Sequence, residues 1–326
     1  MEHAKAEQAK TGAASAPGWL VWSALWVVYI VWGSTYLAIR ITVETLPPLL
    51  AGGARFIVSG LILYTFLLAR RGRAAMRITR AELAGSAFVG TALLLGGNGL
   101  VMLAERDVSS SLAALLISAV PLWVVLFRYV TGEKVPGGTL AGVLVGFVGV
   151  AILVMPGGSG GNVIGALVLV AASFLWATGS FLSKKLALPK DPFLSTAVQM
   201  LCGGVSLSVA GLLTGEGAFD LAGYSTESLL ALGYLVVAGS LLAFTAYVWL
   251  LQNAPISKVA TYAYVNPVIA IFLGWAILSE RITAVVLVGA AIIVASVAFI
   301  VRKESEPEIK EDTTEAAPAF AGVDAK

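Results

Sequence analysis

Apolar residues along this chain gather into ten continuous runs, each flanked by short polar stretches. A helix needs roughly 20 apolar residues to cross about 30 Å of hydrocarbon at 1.5 Å per residue. The runs extend over Trp19 to Ile39, Pro48 to Ala69, Leu83 to Ala104, Val108 to Val130, Gly138 to Met155, Val163 to Leu182, Phe193 to Leu213, Leu229 to Leu251, Val259 to Leu278 and Ile282 to Val301. The fifth is expected to be the shortest. Barrel strands would alternate over about ten residues, whereas these runs are apolar throughout, which in lipid suits only helices that satisfy their own backbone. The pattern predicts an all-α integral membrane protein with ten transmembrane helices. Residues 1–18 and 302–326 lack the apolar content to pack a core and read as disordered tails, and residues 156–162 read as a linker. The first run is too long for a signal-peptide core and lacks an obvious small-residue cleavage site, so it is read as a mature helix.

Composition agrees with that reading. Hydrophobic residues make up 58 % of the 326, charged residues 12 %, and the mean hydropathy is +0.90, far from soluble domains in which about a quarter of residues are charged. Lys and Arg number 21 against 19 Asp and Glu, so no basic excess is available to neutralise phosphates and nucleic acid is excluded as a partner. The single cysteine, Cys202, cannot form an internal disulfide, and the single histidine, His3, lies in the polar leader. No metal site and no cofactor is expected.

Placement of the basic residues adds a direction. Seventeen of the 21 fall on one set of alternating flanks, including Arg70, Arg71, Arg73, Arg77, Arg80, Lys184 and Lys185; the opposite set holds only Arg40, Arg106 and Arg281. Arg55 lies inside a span. By the positive-inside rule both termini face the cytoplasm, with Trp19 and Trp22 in the interfacial belt and Arg128 snorkelling to the cytoplasmic surface.

The chain also repeats itself. Ser111-x-Ala113, Pro121 and Gly132-Glu133-Lys134-Val135 match Ser257-x-Val259, Pro267 and Ser279-Glu280-Arg281-Ile282, with the prolines 146 apart. Trp32 matches Trp176, Pro48 matches Pro192 and Arg55 matches Gln199, all at an offset of 144. Two blocks that agree this closely point to duplication. Five spans per copy is odd, so the second copy enters the bilayer upside down, giving a 5+5 inverted repeat. Such repeats place a solute site near the midplane between the halves.

The motifs Trp32-Gly33-Ser34-Thr35-Tyr36, Pro47-Pro48, Arg55-Phe56, Asn98, the Ser111/Pro121/Gly132-Glu133 run and Ala263-Tyr264-Val265-Asn266-Pro267 resemble the EamA-type branch of the drug/metabolite transporter superfamily from about Trp19 to Val301. The resemblance implies two EamA repeats, 19–155 and 163–301, with helices one to four and six to nine around a central cavity and helices five and ten peripheral. It also implies export of small metabolites, amino acids among them. Ser279-Glu280 departs from the Gly-Glu common in that family, which bears on the turn after the ninth helix.

Several residues could handle a solute. An arginine at mid-helix costs roughly 2.5–3.5 kcal/mol on insertion scales, so Arg55 must face protein or water. It could attract a carboxylate, or it could pair with helix-end carbonyls or Glu44 and lock the halves together. Tyr29, Trp32 and Tyr36 share one helix face, and Trp176 is the mate of Trp32; these rings could hold apolar or cationic groups or simply pack. Tyr262 and Asn266 share a face beside Pro267, and Asn98, Ser118 and Gln199 add uncharged hydrogen-bonding groups that could equally bind helices together. Gly142, Gly146 and Gly149 form a small-residue stripe for close helix packing. Gly157-Gly158-Ser159-Gly160-Gly161 lacks the Lys-Ser/Thr of a phosphate loop and reads as a connector.

No Asp, Glu or His falls in the middle of any span, so proton coupling is not visible, and no catalytic pair suggests an intramembrane enzyme. The tails carry no folded module of the kind a signalling receptor would need. The sequence thus predicts a monomeric exporter in the cytoplasmic (inner) membrane, moving small neutral or zwitterionic metabolites, foremost amino acids with apolar or aromatic side chains. The alternative is a carrier of amphipathic drugs.

Overall fold

A computed structural model describes residues 17–155, 162–217, 223–254, 256–259 and 261–303 of the chain. Both tails beyond these and the Gly157–Gly161 connector lie outside the described residues. Among the described residues nine helices are long and apolar enough to span: α1 (Gly18–Thr42), α2 (Pro48–Arg71), α3 (Arg80–Ala104), α4 (Ser110–Val130), α5 (Gly137–Val154), α6 (Val163–Ser183), α7 (Pro192–Leu213), α8 (Thr226–Leu250) and α10 (Ala284–Lys303). The tenth, α9 (Tyr262–Leu278), has 17 residues and is the shortest, one residue shorter than α5. No strand occurs among the described residues.

Boundaries shift where polar residues begin a helix that the apolar pattern detects only later. Helix α3 starts at Arg80, not Leu83, because the Thr79 side chain and Glu82 form a reciprocal capping box. Helix α8 likewise starts after Ser225, whose hydroxyl accepts from Ser228 N–H at 3.1 Å. The fourth and ninth spans are not continuous. Helix α4 turns at Ser118 and Ala119 so that Pro121 falls in the first turn of its second half, where a missing N–H costs nothing. The ninth begins as a separate turn, Ile256–Val259, and Pro267 then lies inside α9. The turn after α9 survives the serine: Ser279 has φ 54°, the one non-glycine positive φ among described residues, where its mate Gly132 has φ 83°.

Contacts pair up by halves. The second helix of each half meets its mate, α2 along α7, and the fifth meets its mate, α5 along α10; α1 packs on α8 and α9 as α6 packs on α3 and α4. The α5 stripe does pack closely: Ser296 of α10 donates to the Gly142 carbonyl at 2.5 Å, and a Cβ on Gly149 would stand 2.8 Å from Ile293 Cγ1. Dispersion contacts, not the hydrophobic effect, hold helices together in lipid, so such close approach is a main source of cohesion.

Two carboxylates tie separate helices at one end of the bundle. After α7, Glu216 accepts from the N–H groups of Leu49 at 3.0 Å and Leu50 at 2.8 Å, capping α2. After α9, Glu280 accepts from Ser110 N at 2.8 Å, Ser110 Oγ at 2.8 Å, Ser111 N at 3.1 Å and the Ser111 hydroxyl, capping α4. Each satisfies amide groups that a helix start would leave open.

Candidate functional site

Of the residues singled out in the sequence, Trp32, Trp176 and Arg55 meet two unusual stretches of backbone, and Asn98 lies within one of them. In α3, Thr91–Gly99 is wound as a π-helix; in α8, Leu235–Leu242 is too, and the first residues of the two stretches are separated by the repeat offset. Wider π turns are rare in proteins and recur at functional sites. Each tryptophan of the matched pair lies on the π stretch of the other half. Trp32 donates from Nε1 to the Gly239 carbonyl at 3.2 Å, and Trp176 packs so closely on Gly97 that an added Cβ would stand 2.5 Å from its ring.

Arg55 also reaches the α8 stretch. Its Nε donates to Ser240 Oγ at 3.0 Å, its guanidinium carbon lies 4.6 Å from the Phe56 ring centroid, and the residue is 5 % exposed. Among the described residues it bonds neither Glu44 nor a helix-end carbonyl; its partner Ser240 lies in the other half of the chain. A Cβ at Gly239 would come within 3.2 Å of Arg55 Nη2 and 3.1 Å of Thr35 Cγ2, so glycine makes the space in which the guanidinium lies. Arg55 Nη1 is buried with no hydrogen-bond partner in the described structure. Such a donor is costly to leave unfilled.

Beside this arginine stands an aromatic box. The Trp32 ring lies 5.1 Å from Tyr247 and 5.2 Å from Tyr262, and the two tyrosines are 5.8 Å apart. Edge-on and tilted rings at such distances attract one another and bury apolar area. On the same helix face, Tyr29 bonds through its hydroxyl to Thr261. Replacing Trp32 by alanine is expected to cost about 3 kcal/mol of stability, whereas phenylalanine, which keeps the packing and loses one hydrogen bond, costs about 1 kcal/mol. Thermal unfolding of the purified variants measures the difference.

The other predicted residues are placed less centrally. Asn266 is buried beside Pro267 with its Oδ1 unpartnered among the described residues, and Asn98 is half-buried in the α3 π stretch. Gln199, the mate of Arg55, turns back to Ser195 Oγ on its own helix at 2.9 Å. Ser118 donates to the Leu115 carbonyl at 2.6 Å and so serves the turn in α4. Tyr36 is half-buried on α1 near the bundle end that carries Glu280.

Tyr247, Gly239 and Ser240 escaped the sequence reading, because nothing in a uniformly apolar span marks a π turn. Glu105 escaped it by one position: it follows α3 directly, outside the apolar run, yet has no exposed surface. A surface pocket of about 310 Å³ near it is lined by Arg40, Glu44, Arg106, Asp107 and Glu280, and an apolar one of about 380 Å³ lies between α4 and α6 around Trp123, Phe127, Phe174 and Phe181. Neither is lined by the nine predicted residues.

Comparison with known proteins bears on this arrangement. The profile of the EamA-like transporter family matches residues 20–155 and again 163–302. The chain is 36 % identical over 281 residues to the uncharacterized inner membrane transporter YedA of Escherichia coli (strain K12), covering 86 % of this chain and 90 % of that one. It is 24 % identical to a protein of the same organism described as a probable amino-acid metabolite efflux pump, covering 82 % and 90 %. A solved crystal structure matches with a TM-score of 0.62 at 20 % identity over 88 % of this chain and 98 % of the other, which shows a shared fold.

Proposed function

Because the chain belongs to the EamA-like transporter family, we propose that it exports small neutral or zwitterionic metabolites across the inner membrane, foremost amino acids with apolar or aromatic side chains. In this reading both termini face the cytoplasm, the two halves are inverted copies, and the route between them opens to each side in turn. Trp32, Tyr36, Arg55, Asn98, Ser118, Trp176, Gln199, Tyr262 and Asn266 line or shape that route. The observation that carries it is the buried Arg55, held through Nε by Ser240 and with Nη1 unfilled. A guanidinium presents a planar fork that matches a carboxylate, and the adjacent Trp32, Tyr247 and Tyr262 rings suit the side chain of the same solute. The relative described as a probable amino-acid metabolite efflux pump supports the substrate class.

The aromatic box favours a second reading, a carrier of amphipathic compounds that uses the rings and not the arginine. Counterflow in proteoliposomes across amino acids, nucleosides and cationic dyes separates the two. Arg55→Ala is expected to lower amino-acid counterflow by more than about tenfold, the value of one charge-assisted hydrogen bond, and to spare a neutral amphipathic solute. Undiminished amino-acid flux in that variant removes the carboxylate role.

A further inference from the structure

Glu105 is a carboxyl group with nothing to hold its charge. It has no exposed surface, and neither Oε1 nor Oε2 has a hydrogen-bond partner among the described residues. Arg40 of α1 comes close, but its Nη1 turns to the main chain, donating to the Glu105 carbonyl at 2.6 Å and to the Arg106 carbonyl at 3.0 Å. Tyr36 of α1 and Glu280, in the turn after α9, lie within electrostatic range of the group. Helix α6, packed on this end of α3, has no ionisable residue between Val163 and Ser183, and those of α4, Arg128 and Tyr129, sit at its far end. On α2, Arg55 is engaged with Ser240 and Arg70 and Arg71 lie at the opposite end. Arg40, Glu44, Arg106 and Asp107 line the surface pocket described above.

An ionised carboxylate sealed away without hydrogen bonds is costly enough that such groups take up a proton instead. Burial pushes Glu105 well above the usual carboxylate range, the Glu280 charge adds to this, and Arg40 opposes it. The neighbouring Glu280 bonds fasten the segment after α9 onto the start of α4 at this end.

We propose that Glu105 is a proton-binding site whose occupancy seals this end of the transporter: the carboxylate takes one proton as the end closes and returns it to the same compartment as the end opens to water. The proposal rests on the reading that the two ends open in turn. The sealed form binds the extra proton, so the ratio of sealed to open molecules falls up to tenfold for each pH unit above the ordinary carboxylate value of about 4.3, until the raised value is passed. Acidity on this side therefore favours closure, and Glu105→Gln, which resembles the protonated acid, stays closed at every pH.

The test uses Thr42→Cys, buried in the last turn of α1, in a Cys202→Ser background. The protein is placed in lipid nanodiscs and labelled with a maleimide, each rate being divided by that of the denatured protein at the same pH to remove thiol ionisation. The normalised rate is expected to climb by up to about tenfold per unit from about pH 5 upward, until the raised value of Glu105 is passed, and to stay low and flat in Glu105→Gln. A flat rate with Glu105 present, a slope unchanged by Glu105→Gln, or a rate that follows sodium and not pH overturns the proposal. Labelling needs no substrate. A protein that labels as expected but shows no counterflow of any solute contradicts the transport reading and leaves the proton site standing.

Discussion

Gly204→Val is expected to abolish a stably folded protein. Gly204 lies where α7 crosses α2, and a Cβ there would stand 2.8 Å from Ile57 Cγ1, 2.9 Å from Ile57 N and 3.1 Å from the Gly53 carbonyl oxygen. Two of those three neighbours are main-chain atoms of a helix, which cannot yield as a side chain can. Overpacking usually costs about 1–3 kcal/mol, and a branched side chain against backbone belongs at or beyond the top of that range. Lipid offers no hydrophobic driving force to recover the lost contact, since acyl chains solvate a separated helix as well as protein does. Gly204→Ala should fall between, and Val205→Ala, one position on and facing lipid, should be close to neutral. Gel-filtration homogeneity and the thermal midpoint of the three variants give the ranking; a well-folded Gly204→Val would mean that α2 and α7 do not cross at this point.

Glu280→Ala is the second large effect. Its carboxylate accepts four hydrogen bonds from Ser110 and Ser111, two from backbone N–H groups at the start of α4. Alanine leaves those two amides without a partner, and a buried donor left open costs about 1–3 kcal/mol, so the loss of stability should be about 3 kcal/mol. Ser110→Ala with Ser111→Ala removes only the two hydroxyls and should cost clearly less. A double-mutant cycle in denaturant unfolding then isolates the coupling between the two segments. Because a Cβ on Gly274 would come within 2.7 Å of Ser111 Oγ and 2.9 Å of Glu280 Cδ, the same cap explains why glycine stands there. Additive energies in the cycle would show that the cap contributes nothing across the interface.

Much of the architecture can be read from residue order alone. Continuous apolar runs reveal helices in lipid because no other open backbone survives there, and the matched pairs Trp32/Trp176, Pro48/Pro192 and Pro121/Pro267 fall in the two stretches that the family profile matches. The pairs do not reveal how far the copies diverge. Pro121 begins a new helix segment and Pro267 sits within one; Arg55 reaches across to Ser240 whereas Gln199 bonds its own helix. A residue's partner depends on which helix lies opposite, and the 144-residue offset is silent on that.

The sequence by itself determined that this is an all-helical membrane protein, where its helices lie to within a few residues, and that a single arginine is carried into the bilayer. Tertiary structure decided what that arginine touches, that Trp32 is boxed by Tyr247 and Tyr262, that Glu280 caps α4, and that Glu105 is sealed from water. The physical reason is one of range. Hydrophobicity acts on each segment separately and is legible along the chain, whereas these hydrogen bonds and this burial depend on groups brought together from 50 to 232 positions apart, as Trp123 meets Ser173 and Tyr29 meets Thr261.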